Sequence, residues 1–344
     1  MKKAKVAING FGRIGRAFFK LALTRSELEI VAINDLGELD NLAYLLKYDS
    51  AYSRYDKNVS FKESDGKKYL LVDGKEVIFL QEKDASLLPW GALDVYIVVE
   101  ATGIFDSYKK AEVHKKVGAK RVVITAPAKD EDGPDGQTVL VGVNEEVLKT
   151  CTTSSNGSCT TNSISPVMEI LQKILGVNNA FLNTVHAYTA IQNLIDGPVR
   201  GRDYRTGRAA ANNIVPSHTG AAISVTRAVH ELFGRFDGVA FRVPVITGSI
   251  SSVTFVSSRP TTPEEINKIL EDASREESWK NVLTTTRDQV VSSDIIGNPV
   301  SAIVDLSLTH VTDGDLCCVY SWYDNEFGYT NTLVEHVIKS AKFL

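Results

Sequence analysis

The sequence predicts two domains of different architecture: a doubly wound, parallel α/β domain over residues 1–158 and 324–344, and an α+β catalytic domain with a mainly antiparallel sheet over residues 159–323. Three observations predict this. At 344 residues the chain is too long for one average domain and suits two, each able to bury a core. In its first half, short apolar runs alternate with stretches of helical spacing, the signature of a parallel sheet with crossover helices. In its second half the strands lengthen and alternate with period two, as in an antiparallel sheet with one packed face.

From the N-terminus, KVAIN (5–9) is a short apolar run, GFGRIGR (10–16) a glycine turn, and AFFKLALTR (17–25) has helical spacing. EIVAIND (29–35) is a second β-rich run. KKYLLVDGKEVIFL (67–80) carries a hairpin signal at Asp73-Gly74. DVYIVVEATG (94–103) and KRVVITAPA (120–128) are further apolar strands that end in small residues, and KDEDGPDGQ (129–137) is a turn-rich loop. The second half supplies AFLNTVHAYT, DGVAFRVPVITGSISSVTFVSS, VSAIVDLSLTHVT and DLCCVYSWYD as strands. Leu333, Val337 and Ala341 give residues 331–344 a helical period, expected to pack back on the first domain.

Composition sets outer bounds. Hydrophobic residues make up 43% and charged residues 23%, an ordinary soluble globular balance. With 38 basic and 42 acidic residues mixed along the chain, the net charge of −4 gives no nucleic-acid footprint and no membrane surface. No apolar run approaches the roughly 20 residues of a membrane-spanning helix, and the start reads as no secretory leader. A cytoplasmic location is the expectation. Cys151, Cys159, Cys317 and Cys318 include no Cys-x-x-Cys pair, so neither a disulfide scaffold nor a metal site is expected.

Gly10-x-Gly12-x-x-Gly15 lies directly after one expected strand and opens an expected helix. Gly10 permits the tight turn, Gly12 lets backbone approach a pyrophosphate, and Gly15 lets helix and strand pack closely. Asp35, about 20 residues further on and at the end of the second strand, is placed to accept from an adenosine ribose and to repel a 2′-phosphate. This is a Rossmann-type reading that favours NAD over NADP. Arg13 and Ile14 would lie beside the cofactor, and Thr102 and Thr125 sit at strand ends where ligands collect. The plainer alternative is a glycine-rich turn that binds nothing, with the two threonines as strand-end caps.

SSNGSCTTNSISPVMEIL places Cys159 after a polar turn and at the start of a helical pattern. The helix dipole and nearby N–H donors there are expected to lower the thiol pKa, and the Cys159 N–H could hold an oxyanion. His186, in the β-rich VHAYTAIQ, is a candidate proton partner. Local chemistry alone does not choose between this pair and packing roles for both. His114 and His336 read as solvated helix positions, and the other three cysteines as packing residues.

Ten segments, in order, resemble phosphorylating glyceraldehyde-3-phosphate dehydrogenases: INGFGRIGR (8–16), AINDL (32–36), LLKYDS (45–50), VVEATG (98–103), ITAPAKDED (124–132), GSCTTN (157–162), HAYT..Q..DGP (186–198), NNIVPSHTGAA (212–222), FRVP (241–244) and WYDNEFGY (322–329). The resemblance implies that Cys159 attacks the aldehyde, that His186 manages the proton, and that phosphate resolves a thioester. It assigns Thr189 and Arg242 to the substrate's phosphate, and Ser158, Thr160, Thr219 and Gly220 to the attacking phosphate. Asn325, with Tyr329 nearby, would orient the nicotinamide amide. A homotetramer with small-molecule substrates is implied as well. The loop GRDYRTGRAAA departs from the family's common forms, so Arg205 competes with Arg202 and Arg208 as a phosphate ligand. His218, Ile223 and the run VITGSISSV depart too. Two alternatives share the fold: a hydrolytic erythrose-4-phosphate dehydrogenase, in which water resolves the thioester, and a catalytically silent binding protein.

Overall fold

The structure is a computed structural model that describes residues 3–199 and 201–343; Leu344, the end of the expected C-terminal helix, lies outside the described residues. The chain divides into two compact units, one of residues 1–139, 145–157 and 333–344, the other of residues 140–144 and 158–332.

The first unit is built on a sheet with nine strands among the described residues. Its spatial order is Gln137–Thr138, Thr153–Ser155, Arg121–Ile124, Ile97–Glu100, Ala4–Asn9, Leu28–Asn34, Lys75–Leu80, Lys67–Val72 and Val59–Ser64. The pairings from Gln137–Thr138 through to Lys75–Leu80 are parallel, and only the last two pairings, with Lys67–Val72 running opposite to both its neighbours, are antiparallel. The chain leaves Ala4–Asn9 toward Leu28–Asn34 on one side and returns to Ile97–Glu100 on the other. That reversal opens a crevice at the carboxyl ends of these strands. Asp73 (φ 48°) and Gly74 (φ 79°) make the expected hairpin. Asp65 (φ 53°) and Gly66 (φ 69°) make a second, because two left-handed residues match the twist of the paired strands.

Helix Phe327–Ala341 begins before the period visible from residue 331. Asp324 accepts hydrogen bonds from the Glu326 and Phe327 amides at 2.9 and 2.8 Å and so caps its first turn. Leu333, Val334, Val337 and Ile338 share the core of the first unit with Val6, Ile8, Phe18 and Phe19.

Two histidine expectations are corrected. His114 and His336 are fully buried, not solvated. The lysines and glutamate beside His114 in sequence lie at other angles on helix Tyr108–Lys116, so they say nothing about its face. Trp90 Nε1–H donates to His114 Nδ1 at 3.1 Å, which leaves Nε2–H to donate to Glu100 at 3.0 Å. His336 sits between Ser154 Oγ at 2.8 Å and Asn156 Oδ1 at 3.0 Å. Burial, helped by the charge of Arg121, pushes the His336 pKa down to about 3.

The second unit carries a mainly antiparallel sheet, in the order Val215–His218, Phe236–Val243, Val177–Ala187, Ser249–Ser257, Leu316–Tyr323, Ala302–Asp305 and Leu283–Thr286, with His310–Thr312 beside Leu316–Tyr323. Its longest strands alternate buried with half-buried or exposed positions, most regularly along Ser249–Ser257, as period-two sequence requires. Helices Cys159–Leu175, Ala221–Ala228 and Pro263–Ala273 contribute to one apolar core with the sheet, through Val167, Leu171, Val225 and Leu270 against Leu182, Val253 and Val319. One pairing departs from antiparallel in a way that matters: Val177–Ala187 runs parallel to Phe236–Val243 and sets His186 opposite Arg242.

Candidate active site

In the first unit the crevice is lined by Asn9, Gly10, Gly12, Asn34, Asp35 and Thr102, among others. Gly10 has φ +97°, and a Cβ there would lie 2.6 Å from the Ala101 carbonyl carbon, so the turn and the neighbouring strand end close only around glycine. A Cβ on Gly15 would lie 2.1 Å from the Gly10 oxygen. Gly12 is different: nothing stands within 4 Å of where its Cβ would be. It is the N-cap of helix Arg13–Ala22 and no side chain caps that helix end. The backbone there is open to an anion, as a pyrophosphate-binding turn requires. Asp35 is held by main chain, accepting from Phe11 N at 2.6 Å and Gly37 N at 2.8 Å. A fixed carboxylate at a strand end, facing the same crevice, suits a ribose diol.

Beneath the crevice a buried polar chain links the strand ends. Asn34 donates to Asn9 at 2.8 Å, Asn9 donates to Glu100 at 2.6 Å, and Glu100 also accepts from Thr102 N at 2.8 Å. Sequence reading missed Asn9 and Asn34 as crevice residues and Glu100 as the buried acid that holds Asn9; their signal was a polar side chain closing each apolar strand. Of the other expected neighbours, Arg13 pairs with Asp49 at 2.8 Å and Ile14 packs on the apolar core.

In the second unit Cys159 is the first residue of helix Cys159–Leu175. Ser158 caps it: Ser158 Oγ accepts from Thr161 N at 3.1 Å and Thr161 Oγ1 accepts from Ser158 N at 3.2 Å, a capping box. With Thr161 N engaged, the Arg242 charge, the Thr160 hydroxyl and the amides of Thr160 and Cys159 are the groups that favour a negative sulfur. Cys159 Sγ lies 3.2 Å from His186 Nε2. His186 Nδ1 is 2.7 Å from its neighbour's carbonyl, Ala187 O, and 2.5 Å from Arg242 Nη1. One ring nitrogen cannot donate to a carbonyl and accept from a guanidinium together, so the two contacts compete for the tautomer.

The expected depression of the thiol pKa is corrected. Burial pushes the Cys159 thiol up, and the Arg242 charge and the helix-end donors only partly offset it. Burial and the Arg242 charge also push His186 down, to about 3. Both shifts favour the neutral thiol and the neutral imidazole over the charged pair. Desolvation is a tertiary effect and outweighs the local helix end.

The other expected ligands fall into two groups. Arg242 presents a buried Nε without a hydrogen-bond partner among the described residues, as does the Gln192 Nε2 amide. The other end of that amide, Gln192 Oε1, holds Thr189 N at 3.1 Å. Two orphaned buried donors are what an anion would satisfy. Sequence reading gave Gln192 no role; the spacing HAYT-x-x-Q was its signal. Thr219 Oγ1 accepts from Ala221 N at 3.1 Å, and Gly220 is the N-cap of helix Ala221–Ala228. Thr160 is turned inward, its hydroxyl 2.9 Å from Tyr323 OH. Arg205 and Arg208 are exposed and paired with Asp203 and Asp196, each at 2.8 Å. Asn325 Oδ1 accepts from Ser249 Oγ at 2.9 Å, and Tyr329 is buried in the C-terminal helix. Among the described residues no group of three or more His, Cys, Asp or Glu side chains could hold a metal ion, and no helix is long and apolar enough to cross a membrane.

Comparison with known proteins matches these two sites to two family models. The NAD binding domain of glyceraldehyde 3-phosphate dehydrogenase matches residues 4–108, and the C-terminal domain of the same enzyme matches residues 158–325. The chain is similar to glyceraldehyde-3-phosphate dehydrogenase of Thermotoga maritima, at 46% identity over 335 residues, 96% of this chain and 97% of that one. It is similar to that of Clostridium pasteurianum at 44% over 345 residues, covering 98% and 99%. Glyceraldehyde-3-phosphate dehydrogenase 2 of Kluyveromyces marxianus is 43% identical over 339 residues, again 98% and 99% of the two chains. With both domain models matched in order, and relatives aligned over nearly its whole length, the chain belongs to the glyceraldehyde 3-phosphate dehydrogenase family.

Proposed function

We propose that this protein is an NAD-dependent phosphorylating dehydrogenase that converts glyceraldehyde 3-phosphate to 1,3-bisphosphoglycerate, working in the cytoplasm as a homotetramer of 37.6 kDa chains. The observation that carries this reading is the 3.2 Å approach of Cys159 Sγ to His186 Nε2 at the start of a helix, with Arg242 beside the same ring.

The chemistry follows from the competition at His186 Nδ1. A substrate phosphate draws the Arg242 guanidinium to itself, with Thr189 and an arginine of the 202–208 loop, Arg205 first, as further ligands. Nδ1–H then donates to Ala187 O, and the Nε2 lone pair faces the thiol. Cys159 Sγ bonds to the aldehyde carbon while its proton passes to Nε2. The new oxyanion is held by the Cys159 amide and by the imidazolium. NAD, held by the Gly10–Gly15 turn and Asp35, would supply the hydride acceptor for oxidation of the thiohemiacetal to a thioester. Inorganic phosphate then attacks the thioester carbonyl, and Cys159 leaves as thiolate and recovers its proton from His186. Ser158, Thr219, Gly220 and the backbone of Thr160 are assigned to that phosphate. For the cofactor, Gly10, Gly12, Gly15 and Asp35 supply the turn and the ribose acid, with Arg13, Ile14, Thr102 and Thr125 around them and Asn325 and Tyr329 for the nicotinamide end.

The test is NADH formation from glyceraldehyde 3-phosphate with NAD and NADP in parallel. Turnover should need added phosphate or arsenate and should favour NAD. An unchanged rate without either anion would point to the hydrolytic alternative.

A further inference from the structure

Ser249 carries a hydroxyl that the steps above do not use, yet it joins two of their participants. It opens strand Ser249–Ser257, which pairs with Val177–Ala187 on one side and Leu316–Tyr323 on the other. The residue is buried, its Oγ 2.9 Å from Asn325 Oδ1 and 3.1 Å from Ala187 N. A backbone amide can only donate, so Ala187 N–H fills a lone pair of the hydroxyl, and the single hydroxyl hydrogen goes to Asn325.

The same logic orients the Asn325 amide. Gly248 N–H lies 3.2 Å from Oδ1, so the atom facing it must be the carbonyl oxygen. Gly248 has φ +88°, and a Cβ there would stand 2.3 Å from Ser292 O, so that amide direction depends on glycine. Thr247 Oγ1 is 3.3 Å from Asn325 Oδ1 but 3.0 Å from the Asp324 carboxylate, the stronger acceptor for its one hydrogen. Gly248 and Ser249 therefore fill both lone pairs of Oδ1 and leave Nδ2 as the outward donor. Ala187 is also the residue whose carbonyl holds His186 Nδ1.

We propose that Ser249 is a positioning residue for the dehydrogenase reaction: it fixes the Asn325 carboxamide with Nδ2 toward the nicotinamide amide oxygen and, through the Ala187 N–H, ties that orientation to the residue whose carbonyl meets His186 Nδ1. The inference rests on the reading of Asn325 as the nicotinamide ligand.

The test compares equilibrium binding of NAD and of ADP-ribose, which lacks nicotinamide, to the full-length protein carrying Ser249→Ala, Asn325→Ala or both. Ser249→Ala should weaken NAD about five- to tenfold, the loss expected for one buried hydrogen bond, with ADP-ribose affinity held within about twofold. The double variant should bind NAD no more weakly than Asn325→Ala alone, because the two groups act through one contact. Equal weakening of both ligands by Ser249→Ala, or NAD affinity untouched while Asn325→Ala loses it, overturns the positioning role. An Asn325→Ala protein that binds NAD normally overturns the underlying reading instead.

Discussion

Helices Arg13–Ala22 and Cys159–Leu175 both start at a polar turn, and both present a positive dipole end, but they are finished differently. The first is capped by Gly12 with no side chain over its first turn, and the space beyond Gly12 is open. The second is closed by the Ser158–Thr161 capping box, and its first residue is Cys159. The dipole is shared; the side chain at the cap decides what it serves. Leaving the cap bare makes a seat for a diphosphate. Filling it spends one amide on the cap and aims the rest at a sulfur.

Four measurements would break or sharpen that contrast. Cys159→Ser should lower turnover by at least about 10³-fold, because a hydroxyl is a far weaker nucleophile beside a neutral imidazole. NAD affinity, governed by the first helix start, should stay close to that of the parent protein in fluorescence titration; a parallel loss would mean that the two helix ends are not independent.

Acid should erode both units. His186 and His336 each have a pKa pushed down to about 3 by burial, from an ordinary value of 6.5. The unfolded chain binds more protons between those values. The stabilisation is therefore complete above about pH 6.5 and is lost as pH falls toward 3, at up to about 1.4 kcal/mol per pH unit for each histidine. Urea unfolding at pH 7 and pH 5 reads this directly, and equal midpoints would contradict the buried neutral state of both rings.

Asp35→Asn should raise KM for NAD about tenfold, the cost of weakening charge-assisted hydrogen bonds to a ribose, and should narrow the preference over NADP. Iodoacetate labelling of Cys159 should be unaffected, since the carboxylate belongs to the other helix end. Smallest of all, Ser158→Ala should cost about 1 kcal/mol in denaturant unfolding through loss of the cap. A neutral result would show that the box is not what holds this helix start.

What could be read from the residues follows a physical line. Gly10, Gly12, Gly15, Asp35 and Cys159 are legible because their roles depend on backbone freedom and position within one strand–turn–helix unit. His186 and Arg242 are 56 residues apart, and their meeting depends on the register of a parallel strand pair. The burial of His114 and His336 was misread because chain neighbours on a helix point in different directions. The thiol pKa was expected to fall because the helix end is local, whereas the desolvation that raises it comes from the whole unit.

By itself the sequence determined the two-part architecture, the cofactor turn and the place of Cys159 at a helix start, since each is encoded by periodicity or by residues close together along the chain. Only the tertiary structure decided which nitrogen meets the sulfur, which donors are left without partners, and which hydroxyl orients Asn325. Those depend on strand register and on exclusion of water, and both arise only when segments distant in sequence pack against one another.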